Sequence, residues 1–112
     1  MRQAGVLAAA GLYALEHNID RLKDDHAKAR AFAERVSEVK GFFIDPLTLQ
    51  TNIIIINVQK TGRTTDELLA TMRSGGVLLS AGSYTSLRAV THLDVTLEEV
   101  VTAADAIREA MI

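Results

Sequence analysis

Arg88 is the residue of this 112-residue sequence whose type and setting best suit chemistry. It lies in residues 87–93, where apolar side chains alternate as they do along a β-strand. A guanidinium held between Leu87 and Ala89 has little water around it unless an anion is near. Its planar fork suits a carboxylate, which it binds through two parallel hydrogen bonds. From spacing alone, an ion pair with a nearby Asp or Glu, or a position facing solvent, is favoured over binding of an external anion.

Sites of the common self-sufficient enzyme classes are not visible in the sequence. It lacks nucleophile elbows, phosphate-binding glycine loops, dinucleotide-binding GxGxxG turns and paired histidines at i, i+4. His17, His26 and His92 lie in three different predicted elements, and we therefore expect no metal site. His26 is expected at the edge of the core, and His17 at a helix end.

Composition favours one folded domain and disfavours several kinds of partner. The sequence is 48% hydrophobic and 23% charged, and its length suits one compact core. Because the net charge is −2 and no dense Lys/Arg cluster occurs, we expect neither nucleic acid nor membrane as a partner. The absence of cysteine excludes disulfides and fits a reducing, cytoplasmic location. The longest apolar run, residues 53–56, is far shorter than the roughly 20 residues of a membrane span.

Four helices are predicted from periodicity and capping. Residues 1–17 are apolar on nearly all faces, so this helix needs cover from a partner chain or from additional sequence. Residues 19–39 carry an apolar stripe that includes His26. Capping boxes at residues 64–67 and 96–99 predict the starts of a third and a fourth helix.

The strands complete the expected fold. Residues 51–58 give the strongest strand pattern, and four consecutive isoleucines predict a strand covered on both faces. Asn52 is expected to tie down a loop where this strand begins. Further strands are predicted at residues 42–44, 77–80 and 87–93, with Arg88 on the face shared by Val90 and His92. The order ααβ(β)αββα predicts an α+β domain with a small, mostly antiparallel sheet covered by helices.

Four segments occur in an order that a known family shares. Met-Arg-Gln-Ala-Gly opens the sequence at residues 1–5, and Asp-Asp-His follows at residues 24–26. Gln-Thr-Asn stands at residues 50–52, and Leu-Arg-Ala-Val-Thr-His-Leu-Asp-Val fills residues 87–95. In these segments and their order, over essentially its whole length, the chain resembles the threonine aldolases.

The resemblance implies a fold-type-I enzyme that uses pyridoxal phosphate (PLP) to cleave threonine or allo-threonine to glycine and acetaldehyde. It makes residues 1–17 a linking and interface helix, and residues 18–112 the small carboxy-terminal domain. Arg88 matches the family's arginine that binds the α-carboxylate of the amino-acid substrate, and Arg2 matches a second arginine near the cofactor and substrate anions. The family forms tetramers, which implies a homo-oligomer.

The resemblance also implies that the Schiff-base lysine lies upstream of the segment with which this chain opens. None of the four lysines replaces it. Lys23 and Lys28 are expected on the polar side of a helix, Lys40 at its end and Lys60 in a turn, so none has the desolvated pocket that makes an amine nucleophilic. We therefore expect an upstream cofactor domain, no catalytic residue in these 112 residues, and no catalysis by them alone.

Two other interpretations remain open at this stage. The chain could be a free-standing binding module that dimerises through residues 1–15 and binds a small carboxylate with Arg88, without catalytic activity. It could also belong to another fold-type-I enzyme, such as an aromatic amino-acid β-eliminating lyase or a glycine-cleaving relative. The stretch Thr-His-Leu-Asp at residues 91–94 favours the aldolases.

Overall fold

The computed structural model describes residues 2–112. Its helices are α1 (Ala4–His17), α2 (Leu22–Val36), α3 (Thr65–Ser74) and α4 (Leu97–Ala110), and its strands are β1 (Ile53–Asn57), β2 (Ser80–Ser83) and β3 (Ser86–Val90). The strands form one antiparallel sheet with β3 in the middle, in the order β1-β3-β2. The predicted α+β class with a small antiparallel sheet is confirmed.

The hydrophobic core lies between one face of the sheet and the helices α2, α3 and α4. The sheet contributes Ile54, Ile56, Leu87 and Ala89, and the helices contribute Ala29, Phe32, Ala33, Val36, Leu68, Met72, Val100, Ala104 and Ile107. Each fully buried Leu, Ile or Met side chain stabilises the fold by about 1.5–3 kcal/mol relative to exposure. This packing fixes which face of each strand points inward, and therefore where Arg88 points.

Both predicted capping boxes are confirmed. Thr64 Oγ1 accepts the backbone N–H of Glu67 at 3.2 Å, and the Glu67 carboxylate accepts the backbone N–H of Thr64 at 3.0 Å. Thr96 and Glu99 form the same reciprocal pair at 3.1 and 2.9 Å. Each box satisfies two backbone donors that a helix start leaves without a partner, so α3 and α4 begin where the sequence predicts.

One face of the sheet carries no helix of the described residues 2–112. The prediction that the isoleucine strand is covered on both faces is wrong within residues 2–112, because Ile54 and Ile56 are fully buried whereas Ile55 is 40% exposed. Its neighbour on β3, Val90, is 42% exposed. We call this surface the open sheet face and define it by Ile53, Ile55, Ser80, Arg88 and Val90.

The ends of several elements differ from the prediction for local reasons. The strand expected at residues 77–80 begins at Ser80, because the Val77 N–H still donates to Met72 O at 3.0 Å and closes α3. Residues 42–44 form only a single bridge, in which Phe43 exchanges two backbone hydrogen bonds with Asn57.

The last strand and the second helix are also shorter than expected. β3 ends at Val90 because a turn follows it, in which the Val95 N–H donates to His92 O at 3.3 Å. The second helix spans Leu22–Val36 rather than residues 19–39. α1 confirms the first predicted helix from Ala4 to His17, and Met1 lies outside the described residues.

Candidate functional site

Arg88 lies in the middle strand of the sheet, at the centre of the open sheet face. It is paired with Ile55 of β1 on one side and with Ser80 of β2 on the other. Its side chain is exposed, as is that of Val90, which confirms the predicted alternation along β3. Within residues 2–112 the guanidinium forms neither a salt bridge nor a hydrogen bond. The alternative of an ion pair with a local Asp or Glu is therefore excluded for these residues.

The surroundings of Arg88 suit the binding of a small anion. Directly opposite residues in an antiparallel sheet lie on the same face, so Ile55 and Ser80 flank Arg88 there. Ile53 and Val90 extend the apolar surface along the strands. A guanidinium beside apolar side chains can bind a carboxylate bidentately, and cover over that face would strengthen the interaction by lowering the local dielectric.

The hairpin that joins β2 to β3 packs closely beside Arg88. The register shifts between Ala81 and Ser83, so Gly82 forms a bulge. A Cβ atom at Gly82 would lie 2.8 Å from Ser86 Oγ and 3.7 Å from Arg88 Cβ, so the bulge packs closely on β3. The Ser83 and Ser86 hydroxyls are 2.8 Å apart and hydrogen-bonded to each other. Ser80 and Ser83 thus mark the two ends of β2, and neither has a base next to it that would make it a nucleophile.

Arg2 lies immediately before α1 and is exposed. The next residue, Gln3, adopts a left-handed conformation with φ 58°, and α1 follows with no buried side chain. In the described part of the chain Arg2 forms neither a hydrogen bond nor a salt bridge, and both predicted anion-binding arginines are exposed.

A buried polar cluster lies where α2 meets the end of β3, and sequence reasoning missed it. Asp25 is buried, with its carboxylate 2.7 Å from the Arg21 guanidinium and 3.6 Å from Lys28 Nζ. The Thr91 hydroxyl donates to the backbone carbonyl of Asp25 at 2.7 Å. Asn52 donates its side-chain amide to Thr91 O at 2.7 Å, which confirms its predicted tethering role. We call Arg21, Asp25, Lys28, Asn52 and Thr91 the α2–β3 latch.

The latch joins three of the four segments on which the resemblance was based, which are remote in sequence. The signal for it was the spacing of Asp25 from Ala29 and Phe32, which puts the carboxylate on the apolar stripe of α2. The stripe was instead predicted through His26, which is only half-buried. An Arg, Asp and Lys at i, i+4 and i+7 read as an ordinary surface charge pattern, so the contact with β3 was not foreseeable.

Two of the three histidines have local structural partners. His17 stacks on Tyr13 with ring centroids 4.1 Å apart, and its Nδ1 lies 2.9 Å from Tyr13 O. His92 Nδ1 accepts the Asp94 backbone N–H at 3.1 Å and lies 3.7 Å from the Asp94 carboxylate. Among residues 2–112 there is no group of three or more side chains placed to hold a metal ion.

Several surface cavities lie away from Arg88. One of about 750 Å³ lies between the carboxy-terminal parts of α2 and α4. Four of its charged side chains are paired with one another, since Arg35 contacts Asp105 at 3.0 Å and Arg108 contacts Glu38 at 2.7 Å. We therefore place the candidate site at Arg88 rather than at this cavity. In the described part of the chain, none of the helices has both the length and the apolar character of a membrane span.

Comparison with curated proteins gives relatives along the whole chain. It is 34% identical over 113 aligned positions to low-specificity L-threonine aldolase 1 of Arabidopsis thaliana, an alignment that covers 100% of this chain and 32% of that protein. It is 38% identical over 104 positions to the low specificity L-threonine aldolase of Escherichia coli K12, covering 93% of this chain and 29% of that protein. The chain thus spans about a third of the length of these relatives.

A solved structure and a family model complete the comparison. The structure of MppP soaked with the product 2-ketoarginine superimposes with a TM-score of 0.69 over 88% of this chain and 30% of that chain. At 12% identity, this likeness concerns the fold alone. The beta-eliminating lyase family model matches residues 1–61, which is more than half of the chain. The chain belongs to the beta-eliminating lyase family.

Proposed function

We propose that this chain is the carboxy-terminal small domain of a PLP-dependent threonine aldolase, and that it binds the α-carboxylate of the amino-acid substrate. The observation that carries the proposal is the Arg88 guanidinium, which is exposed on the open sheet face and has no carboxylate partner within residues 2–112. The similarity to low-specificity L-threonine aldolases along the whole chain supports it. The reaction would cleave threonine or allo-threonine to glycine and acetaldehyde.

Arg88 would act by positioning the substrate. A bidentate pair with the guanidinium fixes the plane of the α-carboxylate and restricts rotation of the amino acid. The Cα–Cβ bond can then be held in one orientation. Ile55, beside Arg88 on β1, and Val90, two residues along β3, would exclude water once the substrate is bound. Arg2 is proposed as a second cation near the cofactor and substrate anions, at the entrance to α1.

The lysines of this chain do not fit the role of cofactor ligand. Lys23, Lys40 and Lys60 are exposed, and Lys28 Nζ is engaged by the Asp25 carboxylate and by His92 O at 3.3 Å. A nucleophilic lysine needs instead a desolvated pocket or a neighbouring cation that lowers its pKa. When bound, PLP supplies an electron sink for the bond that breaks. We propose that an upstream cofactor domain provides the Schiff-base lysine, and that residues 2–112 alone are inactive.

The exposure of α1 supports a division of the chain into two parts. We propose residues 1–17 as a linking and interface helix and residues 18–112 as the small domain itself. No residue of α1 is buried, and Val6, Leu7, Leu12, Tyr13 and Leu15 are all at least 60% exposed. A helix with so much exposed apolar surface is stable in water only when another segment of the protein or a partner chain covers it. We propose that the protein is a homo-oligomer, since the family forms tetramers. We propose a reducing cytoplasm as its location.

An activity assay tests the proposal directly. The product of the complete native reading frame is purified with PLP and given L-threonine or L-allo-threonine, and glycine and acetaldehyde are quantified. We expect both products in equal amounts from at least one of the two substrates. The same assay on the 112-residue chain is expected to give no turnover. Turnover by the 112-residue chain, or none by the complete product, would contradict the proposal.

A free-standing dimeric module that binds small carboxylates without catalysis is the second candidate. The observation that favours it is the combination of an unpaired Arg88 with lysines that are all exposed or engaged elsewhere in residues 2–112. Titration of the 112-residue chain with glycine, followed by NMR, distinguishes the two. Tight saturable binding at Arg88 by the isolated chain favours the module, whereas an aldolase domain without its cofactor domain should bind glycine only weakly.

A further inference from the structure

Asp25 is the most buried charged residue among those the structure describes, and no step of the proposed reaction uses it. Its carboxylate is 3% exposed, against 22% for the paired Arg21 side chain and 14% for Lys28. Asp25 Oδ1 and Arg21 Nε are both buried and have no hydrogen-bond partner among residues 2–112. A well-packed apolar side chain at this position on the stripe of α2 would avoid that cost. Stabilisation of the core therefore does not explain why a carboxylate occupies this position.

The latch acts on the backbone that leaves β3. The Thr91 hydroxyl donates to Asp25 O, and Lys28 Nζ donates to His92 O at 3.3 Å. On the opposite side, the Thr91 N–H donates to Asn52 O at 2.9 Å and Thr91 O accepts from the Asn52 side chain. Thr91 is thus held through its side chain by α2 and through its backbone by Asn52, next to the start of β1. These hydrogen bonds restrict backbone motion at the carboxy-terminal end of β3.

We propose that Asp25 is a positioning residue, which sets the place of Arg88 by holding the backbone that follows β3. Its carboxylate lies 3.6 Å from Lys28 Nζ and holds the ammonium that donates to His92 O, and its backbone carbonyl accepts the Thr91 hydroxyl. Thr91 lies three residues beyond Arg88, which is about 10 Å along a strand. The latch thus adds a restraint at the carboxy-terminal end of β3 to those that pairing with β1 and β2 provides. The inference rests on the proposed function in that it takes Arg88 to bind the substrate carboxylate.

Amide hydrogen exchange in the 112-residue chain tests the latch without any assay of activity. Asp25→Asn keeps the shape of the side chain and removes its charge, and Thr91→Val removes a single hydroxyl. Both are expected to raise exchange of the Thr91 amide and the β3 amides at least about tenfold relative to the core amides of α4. Thr91→Ser restores the hydroxyl and should restore protection. Asp105→Asn, which also removes a carboxylate facing two arginines, should leave β3 unchanged.

Steady-state kinetics of the complete gene product give a second readout. A displaced Arg88 weakens substrate and transition state alike, so Asp25→Asn and Thr91→Val should raise KM for threonine about tenfold with little change in kcat. A merely structural role would reduce the fraction of folded enzyme, which lowers the apparent kcat and leaves KM unchanged. Thr91→Ser is expected to keep the KM of the unaltered enzyme.

The outcomes separate this inference from the proposed function. Equal acceleration of exchange at every core amide, or an unchanged KM with a reduced kcat, would overturn the positioning role. If the complete gene product lacks aldolase activity, the proposed function fails, and the exchange comparison alone decides whether Asp25 sets β3. If activity is present and β3 exchange is unaffected by both variants, the function stands and the positioning role is wrong.

Discussion

At the scale of single residues, the isoleucines of β1 give a prediction. Ile56→Ala should lower the free energy of unfolding of the 112-residue chain by about 3 kcal/mol, because Ile56 is fully buried and truncation leaves a cavity. Ile55→Ala, one position earlier on the open sheet face, should cost less than about 1 kcal/mol. Urea unfolding followed by circular dichroism measures both. Equal losses would mean that the two faces of β1 are equally covered.

At this scale, exposed residues are easier to predict from the sequence than buried ones. The alternation along β3 was enough to assign Arg88 to the face of Val90, because strand periodicity depends only on neighbours in the chain. The contact between Asp25 and Thr91 instead joins residues that are 66 positions apart. Local charge spacing around Asp25 is the same for a solvated helix and for a buried ion cluster, so only the tertiary contact distinguishes them.

At the scale of elements, the starts of the two helices with capping boxes were predictable to the residue and strand ends were not. The capping boxes of α3 and α4 are encoded within four residues, and both form as expected. The ends of β2 and β3 depend instead on what pairs with them across the sheet and on the turn that follows. The same limit applies to residues 42–44, where one bridge to Asn57 replaces a strand.

The capping box of α4 gives an element-scale prediction. Thr96→Ala removes the side-chain acceptor for the Glu99 N–H and should lower the free energy of unfolding by about 1 kcal/mol. Thr102→Ala is the matched control, because Thr102 is exposed on the same helix and its hydroxyl bonds only back to Glu98 O. The control should change stability by less than about 0.5 kcal/mol. Urea midpoints at constant slope report the difference; a Thr96→Ala midpoint equal to that of the control would show that the cap contributes nothing.

At the scale of the whole molecule, the described chain is more elongated than a compact domain with the same number of residues. Its radius of gyration is 16.2 Å and its extents are 49 × 28 × 28 Å, whereas a compact chain of this length has a radius of gyration of about 13 Å. The 14 residues of α1 account for about 21 Å of length at 1.5 Å per residue. The two surfaces without cover, α1 and the open sheet face, are those for which the proposed function requires partners. The sequence indicated the first by its apolar residues, but predicted the second to be covered.

Self-association of the chain is the prediction at this scale. The apolar surface of α1 should make the 112-residue chain associate as its concentration rises, as measured by sedimentation equilibrium. Leu12→Glu on α1 should weaken that association at least about tenfold, because burial of an unpaired carboxylate disfavours the contact. Leu78→Glu, at a leucine outside α1 that is even more exposed, should have little effect. A strictly monomeric unaltered chain would contradict the interface role of α1.

The most direct test of the central claim is the KM for L-threonine of the complete gene product carrying changes at Arg88. Arg88→Ala removes a bidentate charged pair with the α-carboxylate and should raise KM about 100-fold, whereas Arg88→Lys keeps the charge, loses the fork and should raise it about tenfold. Arg73→Ala, at an exposed arginine on α3, controls for the loss of a positive charge and should leave KM unchanged. A KM within about twofold of the unaltered enzyme for Arg88→Ala, with kcat/KM also preserved, would show that Arg88 does not bind the substrate carboxylate.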